Sequence, residues 1–247
     1  MITNTFDENT VAIINPKKRE NRVKCDVCIV TFSHEIEDYV IKNFNPTIDG
    51  DFKCVNGLTP IYVFEYKGKT FGFYKTLLGA PASVGIFEDA NTLIDTQKFV
   101  VFGSAGVLNQ ERCLGRVVVP THAYRDEGTS YHYAKAEDYI EITNSKLVAK
   151  FMEKHKIPYV EGRCWTTDAF YRETAKNLEL RKAEGCLIVD MECSAIQAVS
   201  NFRGKELYYF MLSGDLLDSP EWDETNLNNA NHNIKNFDIA LHLAYEI

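Results

Sequence analysis

The chain has 247 residues, 45% of them apolar and 25% charged, which excludes a disordered or fibrous chain and suits one domain with a large core. A formal charge of −8 argues against a protein that neutralises phosphate backbones, so no nucleic-acid partner is expected. No apolar run approaches the roughly 20 residues of a membrane helix, and the polar opening segment is unlike a signal, so a cytoplasmic protein without a membrane partner is expected.

In chain order, residues 27–31 read as a buried strand. Residues 61–66 and 70–76 are two more, joined at Tyr66-Lys67-Gly68-Lys69 by a hairpin turn, so part of the sheet is antiparallel. A helix over 82–95 precedes strands at 98–103 and 115–120. A helix over 145–156, a strand at 159–165 and a helix over 170–181 follow. The chain closes with a strand at 186–190, a helix over 191–201, a strand at 206–212 and a helix over 229–245. This order predicts an α/β fold, a single domain over 1–247 with a central mixed twisted β-sheet flanked by helices. The seven cysteines sit mostly in apolar runs and read as reduced, buried thiols. Cys25 and Cys28 form one C-x-x-C pair without a second, so no metal is expected.

Several strands run straight into small or polar residues: into Gly103-Ser104-Ala105-Gly106, Thr166-Thr167-Asp168, Asp190-Met191-Glu192 and Ser213-Gly214-Asp215. In open α/β sheets the carboxyl ends of strands gather at one edge, so Asp168, Glu192 and Asp215 are candidates to share a pocket. Glu192 opens a helix, where capping explains a carboxylate as well as ligand binding does. His34, His122 and His132 are acid/base candidates that surface placement explains more simply.

These segments, with Arg125-Asp126-Glu127-Gly128-Thr129-Ser130 and Trp165-Thr166-Thr167-Asp168-Ala169-Phe170-Tyr171, resemble in order the signature of the nucleoside phosphorylase superfamily of uridine phosphorylases, purine nucleoside phosphorylases and nucleosidases. The Arg125 and Thr166 segments lean towards the uridine phosphorylase-like branch. The resemblance implies cleavage of the N-glycosidic bond of a uridine or purine nucleoside, by reversible phosphorolysis to free base and ribose 1-phosphate. It implies ribose binding by Met191 and Glu192, base binding by Thr167, Asp168, Phe170 and Arg172, and a catalytic Asp215. Gly103, Ser104 and Arg125 would stand on the phosphate side. Inorganic phosphate is the implied co-substrate, with no other cofactor, and a homodimer or homohexamer the implied assembly.

The chain departs from the phosphorylase pattern where phosphate binds. Thr31-Phe32-Ser33-His34-Glu35 stands where the family has Gly-Asp-Pro followed by arginine, and Val101 stands where a second arginine is expected. Lys53 is the one stand-in for an arginine from a neighbouring subunit. Hydrolysis by water is therefore an alternative, with Glu35 or Glu37 matched to the nucleosidase glutamate. A nucleoside-binding protein without turnover is a third reading.

Overall fold

Alternate residues of the central strands face two separate apolar cores, which requires helices on both sides of the sheet. The computed structural model describes every residue except Asn56 and Pro220, and every side chain of the others but that of Cys54. Its strands are β1 (Val23–Lys24), β2 (Val27–Thr31), β3 (Thr47–Cys54), β4 (Gly57–Tyr66), β5 (Lys69–Lys75), β6 (Ile94–Asp95), β7 (Lys98–Val107), β8 (Val117–Asp126), β9 (Tyr139–Glu141), β10 (Tyr159–Thr167), β11 (Cys186–Asp190) and β12 (Glu206–Leu216). Its helices are α1 (His34–Phe44), α2 (Ala80–Leu93), α3 (Gln110–Cys113), α4 (Ser145–Lys154), α5 (Ala175–Ala183), α6 (Cys193–Phe202), α7 (Leu227–His232) and α8 (Ile234–Glu246).

The main sheet runs β11-β10-β8-β12-β7-β2-β5-β4-β3, with β9 on the side of β8. Cys28, Val30, Phe99 and Val101 face the core under α2 and α6, whereas Val27, Ile29, Val100 and Phe102 face the core under α1, α4 and α8. The sheet is mixed: β2 is parallel to β5 and β7, and β4 is antiparallel to β3 and β5. β11 also pairs antiparallel with β7, through Ile188 opposite Val107 and Val189 opposite Gly106. That pairing closes β7, β12, β8, β10 and β11 into a ring. Among the described residues no helix is long and apolar enough to cross a membrane.

The expected α/β fold with a mixed sheet flanked by helices is present, and each expected strand exists. The hairpin is a tight turn with Lys67 at φ 49° and Gly68 at φ 79°, the paired positive values that match strand twist. Two expected helices are split. Residues 170–181 form a 3-10 turn, Phe170–Arg172, and then α5, because the Thr174 hydroxyl accepts from Asn177 N–H and starts a new helix. Residues 229–245 break at Asn233, whose side chain accepts from Lys235 N–H to cap α8. Missed are α1, with only one buried stripe, the polar edge strand β3 and the short β1, β9 and α3, while β6 takes the last two residues of the helix expected over 82–95.

Closure of the ring depends on a missing side chain. A Cβ on Gly106 would lie 2.6 Å from Leu217 Cδ1 and 2.9 Å from Val189 Cγ1, too close for carbon. Gly106→Ala is expected to destabilise the protein by about 1–3 kcal/mol in chemical denaturation, the usual range for overpacking. An unchanged midpoint would show that the β7–β11 seam has slack.

Candidate active site

Ring closure gathers the ends of β7, β11 and β12 around a cavity of about 920 Å³. β7 contributes Ser104, Ala105 and Gly106, β11 leads into Met191 and Glu192, and β12 contributes Asp215. Phe170, Tyr171 and Glu173 close one side, and Trp222, Leu227 and Asn231 another.

Asp190 and Glu192 divide two tasks. Asp190 Oδ1 accepts from the Thr166 hydroxyl at 2.7 Å, and Oδ2 accepts from the N–H groups of Cys193 at 2.8 Å and Glu192 at 3.2 Å. The start of α6 is therefore capped by Asp190, whose short side chain reaches back to its own following backbone. Glu192 makes no capping bond and is left to face the cavity. It is 5% exposed, and its Oε1 accepts from Gly79 N–H at 2.5 Å. Burial, reinforced by the neighbouring Asp190, pushes the Glu192 carboxyl well above the usual carboxylate range.

Asp215 Oδ2 accepts from the Trp222 indole N–H at 2.7 Å, which orients the carboxylate. Glu173 stands nearby, its carboxyl pushed up to about 7 by burial and then by the charges of Asp215 and Asp190. Phe170 and Tyr171, with rings 4.1 Å apart, are 50% and 89% exposed at the cavity's mouth. Ser104 Oγ donates to Asn231 Oδ1 at 2.5 Å.

Of the residues singled out from sequence, Ser104, Phe170, Met191, Glu192 and Asp215 line this cavity; the others do not. Gly103 sits behind the wall, its missing Cβ making room for Phe32, whose Cδ2 would lie 2.8 Å away. Arg125, expected beside Ser104, is buried elsewhere. It donates to Ser130 Oγ at 2.8 Å and to the carbonyls of Lys135, Glu137 and Ala134, with Tyr131 stacked 4.1 Å from its guanidinium. It organises its own loop and borders a separate hollow with Phe6 and Glu8. Thr167 is buried and accepts from Ala169 N–H, Asp168 accepts from Gly128 N–H at 2.9 Å, and Arg172 is exposed. Glu37 pairs with Lys75 at 2.8 Å, and Lys53 lies beside Asp51 on β3; neither lines the cavity.

Beside the expected residues that line the cavity stand Glu173, Trp222 and Asn231, the last two missed from sequence. In a 3-10 turn residues three apart eclipse one another, so Glu173 follows Phe170 into the cavity while Arg172 turns away. Among the described residues the wall holds six carboxylates, those of Glu173, Glu179, Asp190, Glu192, Asp215 and Asp218, and no lysine, arginine or histidine. Lys182 holds Asp218 at 2.7 Å. Among the described residues no group of His, Cys, Asp and Glu is arranged to hold a metal.

The family model of the phosphorylase superfamily matches residues 26–244. The chain belongs to this superfamily. A DeoD-type purine nucleoside phosphorylase of Mycoplasma genitalium is 27% identical over 177 residues, 67% of this chain and 72% of that protein. Among solved structures, uridine phosphorylase from Vibrio fischeri superposes with TM-score 0.76 at 22% identity, over 96% of this chain and 99% of that one. The 5′-methylthioadenosine/S-adenosyl homocysteine nucleosidase of Campylobacter jejuni superposes with TM-score 0.71 at 16% identity, over 90% and 100%. At these identities the superpositions establish the shared fold. Phosphorylases and nucleosidases both use it.

Glu173 gives the cavity a pH signature. Its folded pKa is raised from 4.5 to about 7, so its contribution to stability is full below 4.5 and is lost as pH rises towards 7. Melting curves of the protein and of Glu173→Gln are expected to show the wild type losing ground to the variant between pH 5 and pH 8. A constant difference would remove Glu173 from the buried carboxyl groups.

Proposed function

We propose that the chain cleaves the N-glycosidic bond of a nucleoside in this cavity. The observation that carries the reading is the meeting of Met191, Glu192, Phe170 and Asp215, drawn from three chain segments, in one wall. Glu192 accepts from the ribose hydroxyls above Met191, Phe170 stacks on the base, and Asp215 faces the departing nitrogen base. Breaking the bond builds positive charge on the sugar and negative charge on the base. A buried carboxylate is poorly stabilised in the empty cavity and gains most when a cation forms beside it. Its attraction is thus greater in the transition state than in the ground state, which accelerates the step.

For the nucleophile, the wall favours water over the phosphate expected from sequence. A phosphate dianion entering this low-dielectric, acid-lined cavity would find no cation in the described wall to pair with. Phosphorolysis remains the second reading, supported by relatives named as purine nucleoside phosphorylases. It requires a cation from outside this wall, such as one from a second copy in a homodimer or homohexamer.

Release of base from uridine, inosine, adenosine and methylthioadenosine, run with and without phosphate, tests both readings. Free ribose or its 5′-substituted form, at a rate indifferent to phosphate, is the expected outcome. A sugar 1-phosphate formed only with phosphate would establish the second reading, and no base release would sink both. Glu192→Gln keeps the shape and removes the charge, and is expected to lower turnover about a hundredfold. Asp215→Ala is expected to lower kcat more than it weakens nucleoside binding, measured by ligand-induced melting shifts.

A further inference from the structure

The cavity's Ser104 edge has a construction that the sugar and base contacts do not use. β2 and β7 are parallel neighbours, with Val30 opposite Val101, and the Phe32 ring fills the space left by Gly103. Ser33, just past the end of β2, and Ser104, in the last half of β7, thus stand on adjacent strands. α7 lies across both ends. Its Asn231 accepts from Ser104 Oγ at 2.5 Å, and the next residue, His232, makes a 2.7 Å hydrogen bond through Nδ1 to Ser33 Oγ. Ser33 is itself fixed, being buried and accepting from Ile36 N–H at 3.1 Å as the cap of α1. The start of α7 is tied too, by Asn226 Nδ2 donating to the carbonyl of Ser213 at 2.6 Å.

Asn231 lines the cavity, and its carbonyl oxygen is occupied by Ser104. Its amide nitrogen makes no hydrogen bond among those found for the described side chains and has two hydrogens to give. Ser104 Oγ, having donated its hydrogen, offers lone pairs. A donor and an acceptor side by side match one oxygen that both accepts and donates, as a water molecule does.

We propose that Asn231 is a further nucleophile-positioning residue, holding a water on the Ser104 side of the cavity through its side-chain amide, with His232 and Ser33 fixing Asn231 by anchoring α7. The proposal rests on the cleavage reading above. The held oxygen forms the bond to the anomeric carbon. The carbon–nitrogen bond breaks with its electron pair leaving on the base, the base takes up one proton, and the attacking water releases one to solvent, so the sum is addition of one water. No cation is needed at this edge, in keeping with the composition of the wall.

The test uses the full chain with Asn231→Asp, Asn231→Ala and His232→Ala. Melting curves confirm folding, and base release is followed in water and in aqueous methanol. Both Asn231 variants are expected to lose kcat about tenfold or more, with KM for the nucleoside changed by less than about threefold. The ratio of methyl riboside to ribose should rise severalfold, because methanol no longer competes with a held water. A merely structural role would not move that ratio. His232→Ala leaves the cavity side chains in place and should show a smaller change in the same direction. If release depends on phosphate, the held-water assignment is overturned, because a phosphate dianion oxygen has no hydrogen to give to Ser104. Wild-type rates and product ratios in active Asn231 variants would overturn the proposal and leave the cleavage reading standing. A wild-type protein silent on every nucleoside would overturn the cleavage reading itself, and this proposal with it.

Discussion

The two-residue pairing of β11 with β7 is the constraint on which the site rests. Without it β11 would be the free edge of an open sheet, and the Asp190-Met191-Glu192 segment would end at the periphery. With Val189 opposite Gly106, the segment is turned against the end of β7, and Glu192, Ser104 and Asp215 border one cavity. Most of the hydrogen bonds in the ring lie in the long parallel ladders β7–β12 and β8–β10. The short seam mainly sets direction.

A second constraint is the separation of carboxylate roles. Two acidic residues two apart at a helix start compete for the same orphan amides. Asp190 takes them because it is shorter and lies earlier, and its other oxygen is held by Thr166. The same arrangement keeps Glu192 desolvated beside another acid, which raises its proton affinity. Helix capping thus falls to Asp190 and leaves Glu192 to the cavity, so a change at Asp190 would be felt at Glu192.

Sequence made the strands legible because burial on both faces leaves continuous Val, Ile and Phe runs such as Val27–Thr31 and Cys186–Asp190. It also located the strand ends where Ser104, Glu192 and Asp215 stand. It failed where polar residues carry tertiary roles. Arg125 sits in a segment suited to anion binding, yet four local bonds turn it into the strut of its own loop. Trp222 and Asn231 lie beyond β12 in a stretch without apolar periodicity. Their positions follow from a bond to Asp215 and a bond to Ser104, which no local pattern announces.

The bond from Gly79 N–H to Glu192 changes the meaning of an empty cavity. Gly79 caps α2 at φ 93°, a conformation that aims its amide at the carboxylate and that few other residues adopt. The carboxylate in the resting protein is already partly satisfied from within. Any donor that enters to bind Glu192 therefore enters an exchange, sharing or displacing the Gly79 amide. Contacts counted in the filled site would overstate affinity by the worth of that internal bond. The difference would register at the start of α2, so occupancy of the cavity beside Glu192 is mechanically linked to a helix that otherwise belongs to the core.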